Sequence, residues 1–192
     1  FSKPPAGQPA LLSYDDVTTM FHEVGHALHA MLARVEYPRL TGTNVATDFV
    51  ELPSQLTEHW ALYPSVLANY ARHYQTGQPI PQQLVDRIKR AATFNYGFIT
   101  VEYLSAALID MKLHLAGETP IDARAFERDT LAALGMPKEI VMRHRTPQFH
   151  HVFSGDGYSA GYYSYLWADT LTADAFEAFT EAGGPYAKAV AR

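Results

Sequence analysis

The segment His22-Glu23-Val24-Gly25-His26 constrains this chain more than any other part of it. Residues four apart share a helix face, so a helix here would set the imidazoles of His22 and His26 side by side. Apolar residues around the segment recur at helical spacing, at positions 17, 20, 21, 24, 28, 31 and 32. We therefore predict a helix that begins at a capping box of Ser13 with Asp16 and continues to about Arg34.

The pattern His-Glu-x-x-His on a helix indicates a zinc hydrolase. The two imidazoles would bind the ion, and Glu23 could reach a water molecule at an open metal position. The pattern is short and also arises by chance, so the prediction needs a third ligand. Because the chain contains no Cys, that ligand must be a histidine or a carboxylate.

Two residues compete for the third ligand position. His29 follows His22 by two helical turns, a rise of about 10 Å, whereas a zinc–nitrogen bond measures about 2.1 Å. One ion cannot hold both, and Leu32 stands where a longer histidine pattern would need its third His. Glu51, which opens the next predicted helix, is the better candidate, although it could instead be a capping partner of Asp48.

A second acid, Glu58, shares the helix face of Glu51. It could accept a hydrogen bond from a ligand histidine, as carboxylates near metal sites often do. The alternative is an ordinary glutamate on the surface. The sequence leaves both interpretations open.

The rest of the chain predicts a mainly α fold with few or no strands, organised as one domain over residues 1–192. Residues 35–47 lack helical periodicity and predict a connector with room for a short edge strand. A further helix is predicted from Pro81. The other predicted helices span 48–74, disturbed by Pro53 and Pro64, then 97–117, 122–134 and 159–181.

Composition limits the classes of partner. The net charge is −5 and no basic stripe is present, which argues against nucleic acid. No segment is long and apolar enough for a membrane span, and no signal peptide is visible, so we expect a cytoplasmic location, with the periplasm as an alternative. The chain starts without Met and stops in a helical pattern, so we expect a piece of a longer, monomeric enzyme.

Three motifs in order give the chain a family resemblance. They are His22–His29, Asp48–Gln55 and the long segment Phe149–Trp167, which combines histidines, a Gly-rich loop and tyrosines. Together they resemble the thimet-oligopeptidase-like family of zinc metallopeptidases, family M3. Glu58-His59-Trp60 and the long loop after His151 are most similar to the bacterial peptidyl-dipeptidases of that family.

The resemblance implies a helical, zincin-like catalytic domain of the gluzincin type, without the family's large N-terminal helical portion. It implies one zinc ion bound by His22, His26 and Glu51, with Glu23 as general base. It also implies hydrolysis of short peptides, with release of C-terminal dipeptides. An endo-acting oligopeptidase and a non-catalytic zinc- or peptide-binding piece are the alternatives.

The late segment carries the other implied site residues. By resemblance Tyr158 stabilises the transition state, while His151 and Tyr165 line the substrate site. His151 is preferred to its neighbour His150 because Phe149-x-His151 matches the family pattern better. The neighbouring glycines predict a loop that moves when substrate binds. Tyr162, Tyr163 and Tyr165 alternate around the predicted helix, so at least one packs elsewhere, and His144 and His150 are interpreted as ordinary polar or packing residues.

Overall fold

A computed structural model of the chain describes residues 1–190, in which the secondary structure is almost entirely helical. The α-helices of that range are α1 (Tyr14–Leu32), α2 (Thr47–Glu58), α3 (Pro64–Tyr70), α4 (Gln82–Thr93), α5 (Tyr96–Leu115), α6 (Ala123–Ala133), α7 (His150–Phe153) and α8 (Ser164–Glu181). Extended pairing within residues 1–190 is limited to one isolated antiparallel bridge between Arg72 and Pro79. The predicted mainly α fold is confirmed. None of the helices in this range is both long and apolar enough to cross a bilayer.

The chain forms two compact units. The first comprises Phe1–Ala91 and the segment that begins at Trp167, and it contains α1 to α4 and most of α8. The second comprises Ala92–Leu166 and contains α5, α6 and α7. The predicted metal ligands belong to the first unit, and the Gly-rich loop with its tyrosines belongs to the second.

Helix α1 begins where its sequence predicts. The backbone N–H of Asp16 donates to the Ser13 hydroxyl at 3.1 Å, and the backbone N–H of Ser13 donates to the Asp16 carboxylate at 2.9 Å. This reciprocal capping box satisfies two amide groups that the first helical turn leaves without partners. The helix therefore starts at a fixed residue, which also fixes the face on which His22 and His26 lie.

Two predicted helix boundaries were wrong. The helix predicted over 48–74, with disturbances at Pro53 and Pro64, is divided into α2 and α3. The break at residues 59–63 lies just before Pro64, as predicted, whereas α2 accommodates Pro53 without a break. Pro64 begins α3, where its missing N–H has no helical partner to lose. The helix predicted from Ser159 begins only at Ser164, because Ala160 has a φ of 56°, which a right-handed helix excludes.

The packing of α1 on α2 depends on Gly25. A Cβ atom at this position would lie 2.4 Å from Thr57 Oγ1, 2.6 Å from Ser54 Cα and 2.9 Å from the Pro53 carbonyl oxygen. Two of these three atoms belong to backbone that cannot rotate away. The Thr57 hydroxyl, 2.8 Å from both the Phe21 and Ser54 carbonyl oxygens, links the two helices. Gly25 thus sets the distance between the two helices that carry the predicted ligands.

The C-terminal end of α2 packs within the same unit against α8. His59 stacks on Phe176 with ring centroids 4.3 Å apart, and Trp60 contacts Phe176 and Phe179 edge to face. Aromatic contacts of this kind add to the apolar area that they bury. They hold the end of α2 that carries Glu58.

The second unit has its own hydrophobic core. Ile109 of α5, Phe149 and Val152 are fully buried, and the Tyr162 side chain is 6% exposed. Partly buried aromatic and aliphatic side chains, including Tyr158 and Tyr165, pack against this core. Tyr158 and Tyr165 of the late segment are therefore supported by a well-packed hydrophobic core.

We expect Gly25→Ala to destabilise the chain by about 2 kcal/mol or more, because the added methyl group would force α1 and α2 apart. The measurement is the midpoint of urea unfolding, followed by circular dichroism. Gly97→Ala in α5 is the matched control, because a Cβ there meets no atom within 4 Å and alanine favours a helix. An unfolding midpoint that shifts equally little in both variants would contradict the packing argument.

Candidate active site

The structure brings together the side chains of His22, His26 and Glu51. One ligand atom from each lies within 4.8 Å of the other two. Glu51 Oε2 is 3.1 Å from His22 Nε2 and 3.2 Å from His26 Nε2, and Glu51 is 1% exposed while the imidazoles are partly exposed. Two imidazole nitrogens that converge on one buried carboxylate form a donor set of the kind that binds a divalent metal ion.

Local structure explains how these three side chains meet. Helix α1 places His22 and His26 one turn apart, with ring centroids at 4.8 Å and the rings edge to face. Helix α2 crosses α1 at Gly25 and directs Glu51 at the two rings. The fully buried Ser54 hydroxyl lies 3.0 Å from Glu51 Oε2 and 2.8 Å from its carbonyl oxygen, which fixes the carboxylate.

The alternative interpretation of Glu51 as a capping partner of Asp48 does not agree with the structure. The N-cap of α2 is Ala46, so Asp48 is not the capping residue. A first-turn acid in a solvated position would also be exposed, whereas Glu51 is buried. Glu51 is therefore a buried residue that faces the two imidazoles rather than a helix cap.

Glu58 contacts the far side of the His22 ring. Its Oε1 atom is 2.7 Å from His22 Nδ1, a short distance typical of a charge-assisted hydrogen bond. Of the two sequence interpretations, the contact favours a hydrogen-bonding partner of His22 over an ordinary surface glutamate. Such a bond orients the ring and directs Nε2 at Glu51, 3.1 Å away. His26 differs, since its buried Nδ1 has no hydrogen-bond partner within residues 1–190.

Two further residues of α1 lie near this cluster. His29 packs edge-on against Phe49 with ring centroids 6.5 Å apart and is not part of the converging group, as helix geometry predicts. Glu23 is exposed, and no hydrogen bond or ion pair engages it within the described residues 1–190. Its carboxylate is therefore free to accept a proton.

Electrostatics keep His22 charged in the metal-free protein. Burial lowers the pKa of its imidazole, but the hydrogen bonds and charges of Glu51 and Glu58 raise that pKa by more, to about 9. At neutral pH the ring therefore carries a proton that compensates the buried carboxylate. A metal ion must displace this proton before His22 can bind it.

The other predicted site residues form a second cluster, in the second unit. His151 Nε2 lies 2.9 Å from the Tyr165 hydroxyl, and the rings of Tyr158 and Tyr165 stack with centroids 5.6 Å apart and planes 5° from parallel. The His151 and Tyr158 ring centroids are 4.6 Å apart. The structure thus brings His151, Tyr158 and Tyr165 into contact with one another.

The neighbouring aromatic residues have different surroundings. Tyr162 is in the core, whereas Tyr163 is 40% exposed, in agreement with the expectation that these tyrosines do not all point the same way. His144 stacks on Phe149 with centroids 5.1 Å apart, which is a packing role. His150 is exposed at the start of α7.

The sequence interpretation missed Asp110. This aspartate of α5 is fully buried, and its carboxylate accepts the backbone N–H groups of Ala160 at 3.0 Å and of Tyr162 at 2.9 Å. The signal was a lone acid among apolar residues in Ala106–Met111, since a carboxylate in such surroundings needs a specific partner. A lone acid in an apolar segment predicts a buried polar contact, but it does not identify the amides of Ala160 and Tyr162 as the partners.

Comparison with known proteins decides the family. The family model described as peptidase family M3 matches residues 1–191. The chain belongs to peptidase family M3. The resemblance predicted from the three motifs is confirmed.

Individual relatives agree with this assignment. The chain is 49% identical to dipeptidyl carboxypeptidase of Escherichia coli (strain K12), over 96% of its own length and 27% of that protein. It is 42% identical to oligopeptidase A of the same organism, over 95% of its own length and 27% of that protein. Organellar oligopeptidase A of Arabidopsis thaliana is 36% identical, over 97% of this chain and 24% of that protein. The chain thus spans about a quarter of the length of these curated relatives.

In the metal-free protein we expect the His22 ring to titrate near pH 9, and the fold to weaken as it does so. A pKa raised above the ordinary 6.5 means that the ion pairs contribute fully below about pH 6.5, and that this contribution is lost as the pH rises to about 9. NMR of the ring nitrogens would follow the titration, and urea unfolding would follow the stability.

Glu58→Gln should move this titration toward 6.5, because one of the two carboxylates that raise the pKa is removed. Glu177→Gln, at an exposed position of α8, is the control and should leave the His22 titration unchanged. A wild-type His22 that titrates near 6.5 would contradict the proposed charge arrangement.

Proposed function

We propose that this chain is the catalytic region of a zinc-dependent peptidase that hydrolyses short peptides and releases C-terminal dipeptides. The observation that carries the proposal is the convergence of His22, His26 and Glu51, with the exposed Glu23 next to His22 in helix α1. Membership of peptidase family M3 supports peptide hydrolysis. The higher identity to dipeptidyl carboxypeptidase than to oligopeptidase A supports dipeptide release.

In this proposal His22, His26 and Glu51 hold one zinc ion. The two nitrogens and one oxygen suit zinc, which binds imidazole and carboxylate ligands in catalytic sites and needs no thiolate. When bound, zinc would acidify water and polarise a peptide carbonyl group. Glu58 holds the His22 ring in place through Nδ1, and Ser54 holds the carboxylate of Glu51.

Glu23 is the proposed general base. Its carboxylate takes a proton from the attacking water and then donates it to the departing amine. A carboxylate already engaged in an ion pair would be a weaker base, and Glu23 has no such partner within residues 1–190. Its place next to His22 in helix α1 supports this assignment.

Tyr158, His151 and Tyr165 are the proposed substrate-side residues. A tyrosine hydroxyl can donate a hydrogen bond to a developing oxyanion without bringing a charge, which is the role proposed for Tyr158. The contact between His151 and the Tyr165 hydroxyl supports a shared role in lining the substrate site. The Gly-rich loop before Tyr158 is proposed to move when substrate binds.

The second candidate is an endo-acting oligopeptidase of the same family, which the 42% identity to oligopeptidase A favours. The two differ in what they must recognise. Release of a dipeptide requires recognition of the free C-terminal carboxylate, whereas endo-cleavage does not. A non-catalytic zinc- or peptide-binding piece is less well supported, because the sequence retains Glu23, the acid that the proposed mechanism needs.

We expect Glu23→Gln to lower kcat for a blocked tetrapeptide by roughly 10³-fold while the zinc content stays unchanged. The substitution keeps the size of the side chain and removes only its ability to take a proton. Hydrolysis would be followed by chromatography and zinc by atomic absorption. Glu36→Gln, in the exposed connector after α1, is the matched control. Full activity in Glu23→Gln would disprove the mechanism.

A pair of substrates that differ only at the C-terminus separates the two candidate activities. We expect a peptide with a free C-terminus to be cleaved two residues from its end, and the amidated peptide to be cleaved at least about tenfold more slowly, because one charged recognition group is lost. Mass spectrometry of the products gives the cleavage position. Equal rates with cleavage inside the chain would favour the endo-acting oligopeptidase.

A further inference from the structure

We propose that Asp110 is a positioning residue that holds the tyrosine loop in its active conformation. We define the tyrosine loop as residues 155–163, between α7 and α8. The inference rests on the proposed function, because it assigns Asp110 to the part of the site that carries Tyr158 and Tyr165. It concerns contacts within the second unit only.

The first argument is the burial of the Asp110 carboxylate. Asp110 lies on α5 with no exposed surface, and an ionised carboxylate without partners in such a place costs several kcal/mol. Its oxygens are satisfied by the tyrosine loop itself: Oδ1 accepts the N–H of Ala160 and Oδ2 accepts the N–H of Tyr162. His114 Nδ1, 2.9 Å from Oδ1, completes the set. The carboxylate is therefore committed to one loop conformation.

The second argument is the strain in the loop that this carboxylate offsets. Ala160 has a φ of 56°, a left-handed conformation that costs an alanine roughly 1 kcal/mol or more. Residues hold such a conformation when surrounding interactions over-determine it. Two charge-assisted hydrogen bonds to the flanking amides of positions 160 and 162 do so here. The turn is therefore a conformation that Asp110 selects.

The third argument is where the held turn lies in the chain. The Tyr162 carbonyl accepts a hydrogen bond from the Tyr103 hydroxyl, and the two rings stack with centroids 5.2 Å apart, so Tyr162 is held on both sides of its backbone. Tyr158 lies just before this fixed point and Tyr165 just after it. The stack of Tyr158 on Tyr165 requires both ends to keep their spacing. Asp110 thus acts through the backbone on two residues that it does not touch.

The tyrosine loop has different anchors along its length. Residues 160–162 are bound to α5, whereas the Ser159 hydroxyl lies 3.2 Å from the carbonyl oxygens of Val152 in α7 and of Gly155. Loss of the fixed turn would let the whole loop drift, and a displacement of about 1 Å can cost a catalytic site ~100-fold in rate.

The test compares Asp110→Asn with Glu127→Gln in the complete, zinc-loaded protein. Asn has the same shape but accepts at one oxygen only, and its NH₂ group would face an amide that also donates. Glu127 is the matched control: a buried carboxylate of the same unit that accepts the Thr146 N–H at 2.8 Å and pairs with Arg145, away from the tyrosine loop. The measurements are kcat and KM for a blocked tetrapeptide, zinc content, and hydrogen exchange of residues 155–163.

For Asp110→Asn we expect kcat to fall by at least about tenfold with KM and zinc content little changed, and amide exchange to accelerate in residues 155–163. Glu127→Gln should leave kcat and this exchange unchanged. If Asp110→Asn does not fold, Tyr103→Phe removes the other bond to Tyr162 and should give a smaller loss of the same kind.

Faster exchange with an unchanged kcat would overturn the positioning role, and so would an unchanged exchange rate. If the wild-type protein itself failed to cleave peptides, the proposed function would be wrong. In that case the exchange comparison alone decides: acceleration confined to residues 155–163 supports the loop contact, and no acceleration overturns it.

Discussion

The close contact between α1 and α2 at Gly25 is the constraint on which the cluster of His22, His26 and Glu51 depends. Without a side chain at this position, the helix that carries the two histidines approaches the backbone of Pro53 and Ser54. Glu51 then lies close enough to both imidazoles for one carboxylate oxygen to contact both Nε2 atoms. The close approach of the two helices therefore brings Glu51 Oε2 within 3.2 Å of the Nε2 atoms of His22 and His26. Hydrogen bonds across the contact, such as that of Thr57, maintain it.

Each of the two compact units contains a buried carboxylate with specific partners. Glu51 pairs with the protonated His22 ring and is held by Ser54, while Asp110 is satisfied by backbone amides. In both cases the cost of burying the acid is offset only in one arrangement of its partners. A buried acid therefore favours specificity of conformation over stability. Glu51 contacts both the His22 and the His26 ring, and Asp110 binds the turn at residues 160–162.

Local signals made much of this structure predictable from the sequence. The capping box of Ser13 and Asp16, the apolar repeat of α1 and the spacing of His22 and His26 all act within one helix, so one sequence suffices to recognise them. The exclusion of His29 also follows from helix geometry alone. Glu51 was the better candidate for a third ligand from its place at the start of the next predicted helix, and the family resemblance supported it, whereas the late His and Tyr residues came from the resemblance alone. Their chemical roles stay predictions, and so does the single domain over residues 1–192.

What the sequence could not predict depends on contacts between distant residues. The late start of α8 results from the turn at Ala160, which is held by Asp110 some fifty residues earlier. No periodicity at either position reveals that partner. Pro53 was expected to disturb its helix, yet the helix breaks only at residues 59–63, just before Pro64. The conformational preference of proline predicts where a helix can end at a low cost in free energy, but tertiary packing determines whether it ends there.

The oxygen that Glu51 shares between two imidazoles makes the charge of this cluster depend on pH. The buried carboxylate and the protonated His22 ring compensate each other's charge. A cation that binds the three side chains must compete with the His22 proton, so the apparent affinity of the cluster for a metal ion rises with pH up to about 9.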